Sequence, residues 1–264
     1  MSAMRIRRRR LAQAGLSMVE LLVGLTIGVF VLIAALGSLV LTRTSGAVIA
    51  DSASLIIQGN QAMRLIGSHL RQGGAIELRP VDPAAAPGSR LYQFSDLFNG
   101  NDGTGRVVEG VEGGASPDSL IISYETRTDA VTRDCLGAAT AAGLPRVQNR
   151  FFVSSQSLMC EGSSGGAAQA VLDEIEDFQV RYWVRQGAAP ASTLVLRDAS
   201  QVAGAGGWAN VVAVEVCLQL PGTISSHPAA AGSTFLNCRD VATAQDGRQR
   251  LVLRSTLHLR NQGQ

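Results

Sequence analysis

Hydrophobic and polar positions divide the chain into stretches with different periods. Leu21 to Thr42 holds 22 residues without a charge. Coiled as a helix, such a run spans about 33 Å, enough to cross a hydrocarbon core of about 30 Å once. From Arg43 onward the apolar positions recur at three- and four-residue steps, and Ile49, Ala53, Ile56, Met63, Ile66 and Leu70 form a stripe that no proline interrupts. Gly73 and Gly74 suit a left-handed cap. The pattern therefore predicts one helix from Leu16 to Gln72, about 85 Å long.

Residues 75–118 are rich in Gly, Pro, Ala and Asp and read as loops with one short strand. The period then changes to two. Phe178, Val180, Tyr182 and Val184 alternate with Gln179, Arg181, Trp183 and Arg185. Val212, Val214, Val216, Leu218 and Leu220 alternate likewise, as do Leu251, Leu253, Ser255, Leu257 and Leu259, and shorter runs lie at Ser119–Glu125 and Arg150–Ser155. These runs predict an antiparallel sheet with one apolar face, covered by the helical stripe, in an α+β fold. Trp183 and His258 fall on the outward side of that sheet. The division expected is 43–74 for the amphipathic part of the helix and 75–264 for the loops and sheet domain.

Charge adds a direction. All 23 basic residues are arginine; five of them stand within the first ten residues, and all 21 acids follow these five. A basic flank ahead of an apolar span stays cytoplasmic, so the chain beyond Arg43 is expected across the inner membrane, in the periplasm. The mildly acidic remainder weighs against broad nucleic-acid backbone binding. Cys135, Cys160, Cys217 and Cys238 all follow the apolar run and contain no CxxC spacing, while His69, His227 and His258 are isolated, so no metal site is expected. An even number of cysteines beyond a membrane segment points to disulfides. Of three pairings, Cys135 with Cys160 and Cys217 with Cys238 is the expected one, since each closes a loop of modest length.

Enzyme signatures are missing. No GxSxG elbow and no GK[ST] phosphate loop occurs. Asp173, Glu174, Glu176 and Asp177 read as a solvated turn rather than a paired-carboxylate site. Neither Gly103 nor Gly105 sets up an EF-hand loop, and Asp96, Asn101 and Asp102 read as a turn before a calcium site. Neither a cofactor nor a small-molecule substrate is expected.

One residue remains unexplained by these patterns. Glu20 stands at the mouth of the apolar run, where a charge costs up to about 2.5–3.5 kcal/mol at mid-bilayer and less toward the edge, so it calls for a partner. Gly15 followed by Leu16, with Glu20 four residues on and then a long apolar helix, resembles the class III signal of type IV prepilins. The resemblance implies a leader of residues 1–15, cut by a prepilin peptidase between Gly15 and Leu16. It also implies a transmembrane and assembly helix at 16–42, and methylation of the new amino terminus at Leu16. The Glu20 carboxylate can then neutralise the Leu16 amine of a neighbouring subunit. Gly24 and Gly28 form a GxxxG that lets helices approach, and Gly37 marks a soft point in the helix.

Further stretches, "EGVEGGASPDSLIISYE", "DCLG", "NRFFVSSQSLMCEG" and "EIEDFQVRYWV", are similar to PilW-type minor pilins of type IV pili. That resemblance implies a type IV pilin-like fold and a low-abundance subunit that helps initiate the pilus. Its partners would be other minor pilins, the major pilin and a tip adhesin. Such a subunit passes from the inner membrane, which it spans once, into the pilus at the cell surface. Residues 221–244 fit neither pattern nor resemblance. A GspJ-like pseudopilin of type II secretion shares the leader, helix and sheet and is the alternative. A membrane-anchored periplasmic enzyme and a DNA-binding uptake protein represent other classes.

Overall fold

The computed structural model describes residues 15, 17–80, 92–94, 106–125, 132–139, 146–163, 165–187, 191–204, 207–225 and 232–262. Residues 1–14, Leu16, Asp96, Asn101, Asp102, Gly103, Gly105 and His227 lie outside the described residues. The uninterrupted helical pattern becomes α1, Met18–Gln72. It closes where Gly73 N donates to His69 O and Leu70 O and where Gly74 takes φ 71°, a left-handed conformation that glycine adopts without a Cβ penalty. The chain forms two compact units, Met1–Ile49 and Ala50–Gln264, and α1 contributes to both.

In the second unit the strands follow in order: β1 Leu78–Pro80, β2 Tyr92–Phe94, β3 Val108–Val111, β4 Ser119–Glu125, β5 Arg146–Ser154, β6 Ser157–Gly162, β7 Gln169–Leu172, β8 Asp177–Gln186 and β9 Thr193–Arg197. A short helix α2, Ala199–Gly204, and a 3-10 turn, Gly207–Asn210, lead to β10 Val211–Pro221, β11 Thr234–Leu236, β12 Ala242–Ala244 and β13 Arg250–His258. All pairings are antiparallel. The single sheet expected from the alternation is two: a five-stranded sheet in the order β3-β4-β5-β6-β7, and a four-stranded sheet in the order β13-β10-β8-β9. Two small hairpins, β1-β2 and β11-β12, complete the described strands.

One core serves both sheets. Leu120, Ile122 and Phe151 from the first, and Phe178, Tyr182, Leu218 and Leu220 from the second, are buried together with Ile66 and Leu70 of α1. Trp208 meets Tyr182 edge-to-face at 5.0 Å. The helix reaches the four-stranded sheet along β13 and β10: a side chain at Gly59 would run into Leu253, with Leu220 also near, and one at Gly67 would touch Leu257. The buried row on α1 is accordingly Asp51, Leu55, Gly59, Ala62, Ile66, Gly67, His69 and Leu70. Ile49, Ala53 and Ile56, expected on the covered stripe, are exposed. Close approach selected the small residue at Gly59 and the hydrogen-bonding residue at Asp51, and counting hydrophobic positions passes over both.

Candidate functional site

The first candidate is the start of α1. Ser17 Oγ accepts Val19 N at 3.3 Å and Ser17 O accepts Leu21 N at 3.1 Å, so Ser17 is the N-cap. Glu20 is then in the first turn, three residues into the helix, where the free amide groups favour a carboxylate by about 0.3–1 kcal/mol. It is exposed and has no partner among the described residues. Gly15 is exposed with open space around it, and Leu16 lies outside the described residues. The sequence reading missed Ser17, although the S-x-x-E spacing of Ser17 and Glu20 carries the signal.

Beyond Glu20 the apolar side chains are exposed, among them Leu22, Phe30, Ile33 and Leu41. The uncharged run contains three hydroxyls, and each is satisfied within the helix: Thr26 Oγ1 donates to Val23 O at 2.9 Å, Ser38 Oγ to Ala35 O at 2.9 Å, and Thr42 Oγ1 to Ser38 O at 2.8 Å. Nothing polar in the run needs water. That is the requirement hydrocarbon imposes on a spanning helix. Gly24, Gly28 and Gly37 all face open space, available to another helix.

A second group of polar side chains fixes α1 within the second unit. Asp51, buried, accepts Thr223 N at 2.9 Å and Thr223 Oγ1 at 2.6 Å, and Ser52 Oγ donates to Gln249 Oε1 at 2.8 Å. Near the other end His69 is buried beside Tyr124 and Asn149. Tyr124 Oη donates to Arg133 O at 2.7 Å and accepts Asn149 Nδ2 at 3.0 Å, and His69 Nδ1 lies 3.2 Å from that oxygen and 3.4 Å from Asn149 Nδ2. Burial lowers the His69 pKa, opposed by the nearby Asp134 carboxylate, and burial pushes the Tyr124 hydroxyl up to about 12. Asn149 Oδ1 accepts Cys135 N at 2.7 Å, which ties this network to the Cys135–Cys160 disulfide, Cα–Cα 6.4 Å. His69, Tyr124, Arg133 and Asp134 line a cleft of about 470 Å³ with Gln72, Ala75, Ile76, Thr132 and Glu125. The arrangement holds one end of α1 against β4 and β5.

The Cys217–Cys238 disulfide, Cα–Cα 5.6 Å, fastens the loop after β11 to the outer face of β10. Arg181 and Arg254 both bridge Glu215 and Asp240, closing a ring of alternating charges over this loop. Residues 221–244 thus contain a pinned hairpin covering the sheet. The four clustered acids separate: Asp173 accepts Ser157 Oγ, Glu174 turns the chain at φ 56°, Glu176 binds Arg250 and Gln219, and Asp177 is buried beside Gln179 and Arg239. Each has its own structural role. Trp183 is half-buried and His258 exposed. Among the described residues, no group of three His, Cys, Asp or Glu is placed to hold a metal ion.

The stretch from β5 to just past β13, residues 146–261, matches a family model described as PilW, type IV pilus-assembly protein W. A solved type IV-like pilin from Thermus thermophilus is similar at 14% identity, covering 80% of this chain and 100% of its own, with a TM-score of 0.39. Among curated proteins none matches the chain.

Proposed function

We propose that the protein is a minor pilin, an assembly subunit that enters a type IV pilus through its N-terminal helix and helps to initiate it. The observation that carries this reading is the match of residues 146–261 to a pilus-assembly family. It occurs in a chain whose uncharged run, Leu21 to Thr42, has its three hydroxyls satisfied within α1. On this reading a prepilin peptidase cuts between Gly15 and Leu16, and residues 16–42 keep the subunit in the inner membrane with the sheet unit in the periplasm. Leu16, methylated, begins the mature chain. Glu20 has the right position for its part: the helix N-terminus supports the carboxylate before assembly, and the Leu16 amine of an adjacent subunit neutralises it afterwards. Both charges are costly alone in low dielectric and tolerable together.

Partners follow from the same reading, namely other minor pilins, the major pilin and a tip adhesin. Crosslinking in intact cells, with mass spectrometry of what is captured, tests it. Capture of pilus subunits is the expected outcome. Recovery of secretion-system components instead would make the chain a pseudopilin.

A further inference from the structure

The four-stranded sheet has one long open edge. β13 pairs with β10 on one side only, without a break, from Arg250 opposite Pro221 to His258 opposite Ala213. Leu259 N donates to Val212 O at 2.9 Å, which makes these two residues a hydrogen-bonded pair. Antiparallel ladders alternate, so Leu257, Ser255, Leu253 and Leu251 also bond to β10. The N–H and C=O groups of Val252, Arg254, Thr256 and His258 therefore point away from the sheet, and among the described residues no strand pairs with them. Along β13 there is no proline and no bulge to break that edge.

The same sheet shows what a closed edge looks like. Where β9 falls short of the start of β8, Asp118 fills the place of a strand: its N–H donates to Phe178 O at 2.8 Å and its carboxylate accepts Val180 N at 2.8 Å. Among the described residues β13 has no such cover over its nine residues, against five in β9 and four each in β3 and β7 at the other edges.

Charge selects the occupant. No acid occurs between Gly247 and Gln264, whereas Arg248, Arg250, Arg254, His258 and Arg260 all do. Arg250 and Arg254 are engaged by Glu176, Asp246, Glu215 and Asp240. Arg248, His258 and Arg260 are exposed, and their side chains form no ion pair with an acid among the described residues. Leu253 and Leu257 face α1, so by alternation Arg254 and His258 stand on the opposite face, while Arg248 and Arg260 flank the two ends of β13. Pairing of two copies through β13 would set arginine against arginine. A strand with acids at alternate positions meets the same charges favourably.

We propose that the β13 edge is a strand-addition site for an extended segment of another protein carrying carboxylates at alternate positions. Main-chain bonds to Val252, Arg254, Thr256 and His258 supply the register, and the arginines choose the sign. The inference does not depend on the pilus reading, and its test is independent of what the chain assembles into.

The probe is a fluorescent ten-residue peptide alternating Glu with Val, titrated against the full chain in detergent, beside its Lys–Val counterpart. The acidic peptide is expected to bind at least about tenfold more tightly, less so as salt rises, and to slow amide exchange at Arg254 and Thr256. Thr256→Pro removes an outward N–H that the β10 ladder does not use, so the sheet is kept while binding falls by about tenfold or more. Arg248→Glu with Arg260→Glu, which leaves the backbone alone, should weaken the acidic peptide and favour the basic one. Equal binding of the two peptides, no binding of the acidic one at about 1 mM, or undiminished binding to Thr256→Pro would each overturn the proposal.

Discussion

Replacing Asp51 tests how α1 is held where it enters the second unit. Its carboxylate receives both the N–H and the hydroxyl of Thr223, at 2.9 and 2.6 Å, in a site where Asp51 is 7% exposed. Hydrogen bonds to a charged group contribute about 1.5–3 kcal/mol each, and Asp51→Ala also leaves a Thr223 donor without its acceptor. Part of that is returned because a buried charge disappears, so the net cost should be about 3 kcal/mol. A domain of ordinary stability, about 5–15 kcal/mol, survives such a loss, so the variant folds and the effect can be measured. Asp51→Asn keeps an oxygen in the same place and should cost about 1 kcal/mol. The assay is urea unfolding of a chain beginning at Arg43, which retains about two helical turns ahead of Asp51, followed by tryptophan fluorescence. Thr223 amide exchange, read in parallel, should accelerate in Asp51→Ala. A loss below about 1 kcal/mol for Asp51→Ala, or equal losses for Ala and Asn, would show that these bonds do not fix the helix.

Two other sites give clear expectations. Burial lowers the His69 pKa below its ordinary 6.5, so the unfolded chain binds a proton that the folded one refuses. Stability is full above about pH 6.5 and falls as the pH drops toward the lowered value, by at most about 1.4 kcal/mol per unit, and His69→Gln should flatten that slope between pH 7.5 and 5.5. Burial raises the pKa of Asp118 and Glu112, which act in the opposite sense at lower pH, so the comparison with His69→Gln isolates the histidine. Gly110 leaves the space that the Tyr182 hydroxyl fills, and that buried hydroxyl has no hydrogen-bond partner among the described residues. Gly110→Ala should cost about 1–3 kcal/mol, Tyr182→Phe alone should cost nothing or stabilise, and Tyr182→Phe should rescue Gly110→Ala; thermal unfolding of the three variants checks this.

Where the sequence carries a local period, the fold could be read from it. The glycine pair at Gly73 and Gly74 marks the end of α1, and alternation marks β4, β8, β10 and β13. β6 was not legible because the hairpin before it turns on Ser155 and Gln156, at φ 51° and 62°, rather than on a glycine or asparagine. The division into two sheets was illegible for a related reason, since alternation fixes a face and not a neighbour. The stripe on α1 holds at Met63, Ile66 and Leu70 and fails at Ile49, Ala53 and Ile56, because the contacts there run through Asp51 and Gly59, which no hydrophobic count includes. At the helix start Gly15, Leu16 and Glu20 lie within six positions, so a local motif could single them out. The His69, Tyr124 and Asn149 network joins side chains 55 and 80 positions apart, and no spacing rule connects them.

On the proposed function, Glu20 acts in assembly rather than in insertion or folding. In cells making pili, wild-type protein and Glu20→Ala should reach equal membrane levels with equal processing, because the substitution removes a charge from the apolar run and leaves the second unit untouched. The measurement is the amount of each protein in pili sheared from the surface. Leaving the neighbour's amine without its carboxylate costs about 3–5 kcal/mol, so Glu20→Ala should be depleted from the sheared fraction by well over tenfold. Equal recovery of the two proteins in sheared pili would contradict the account.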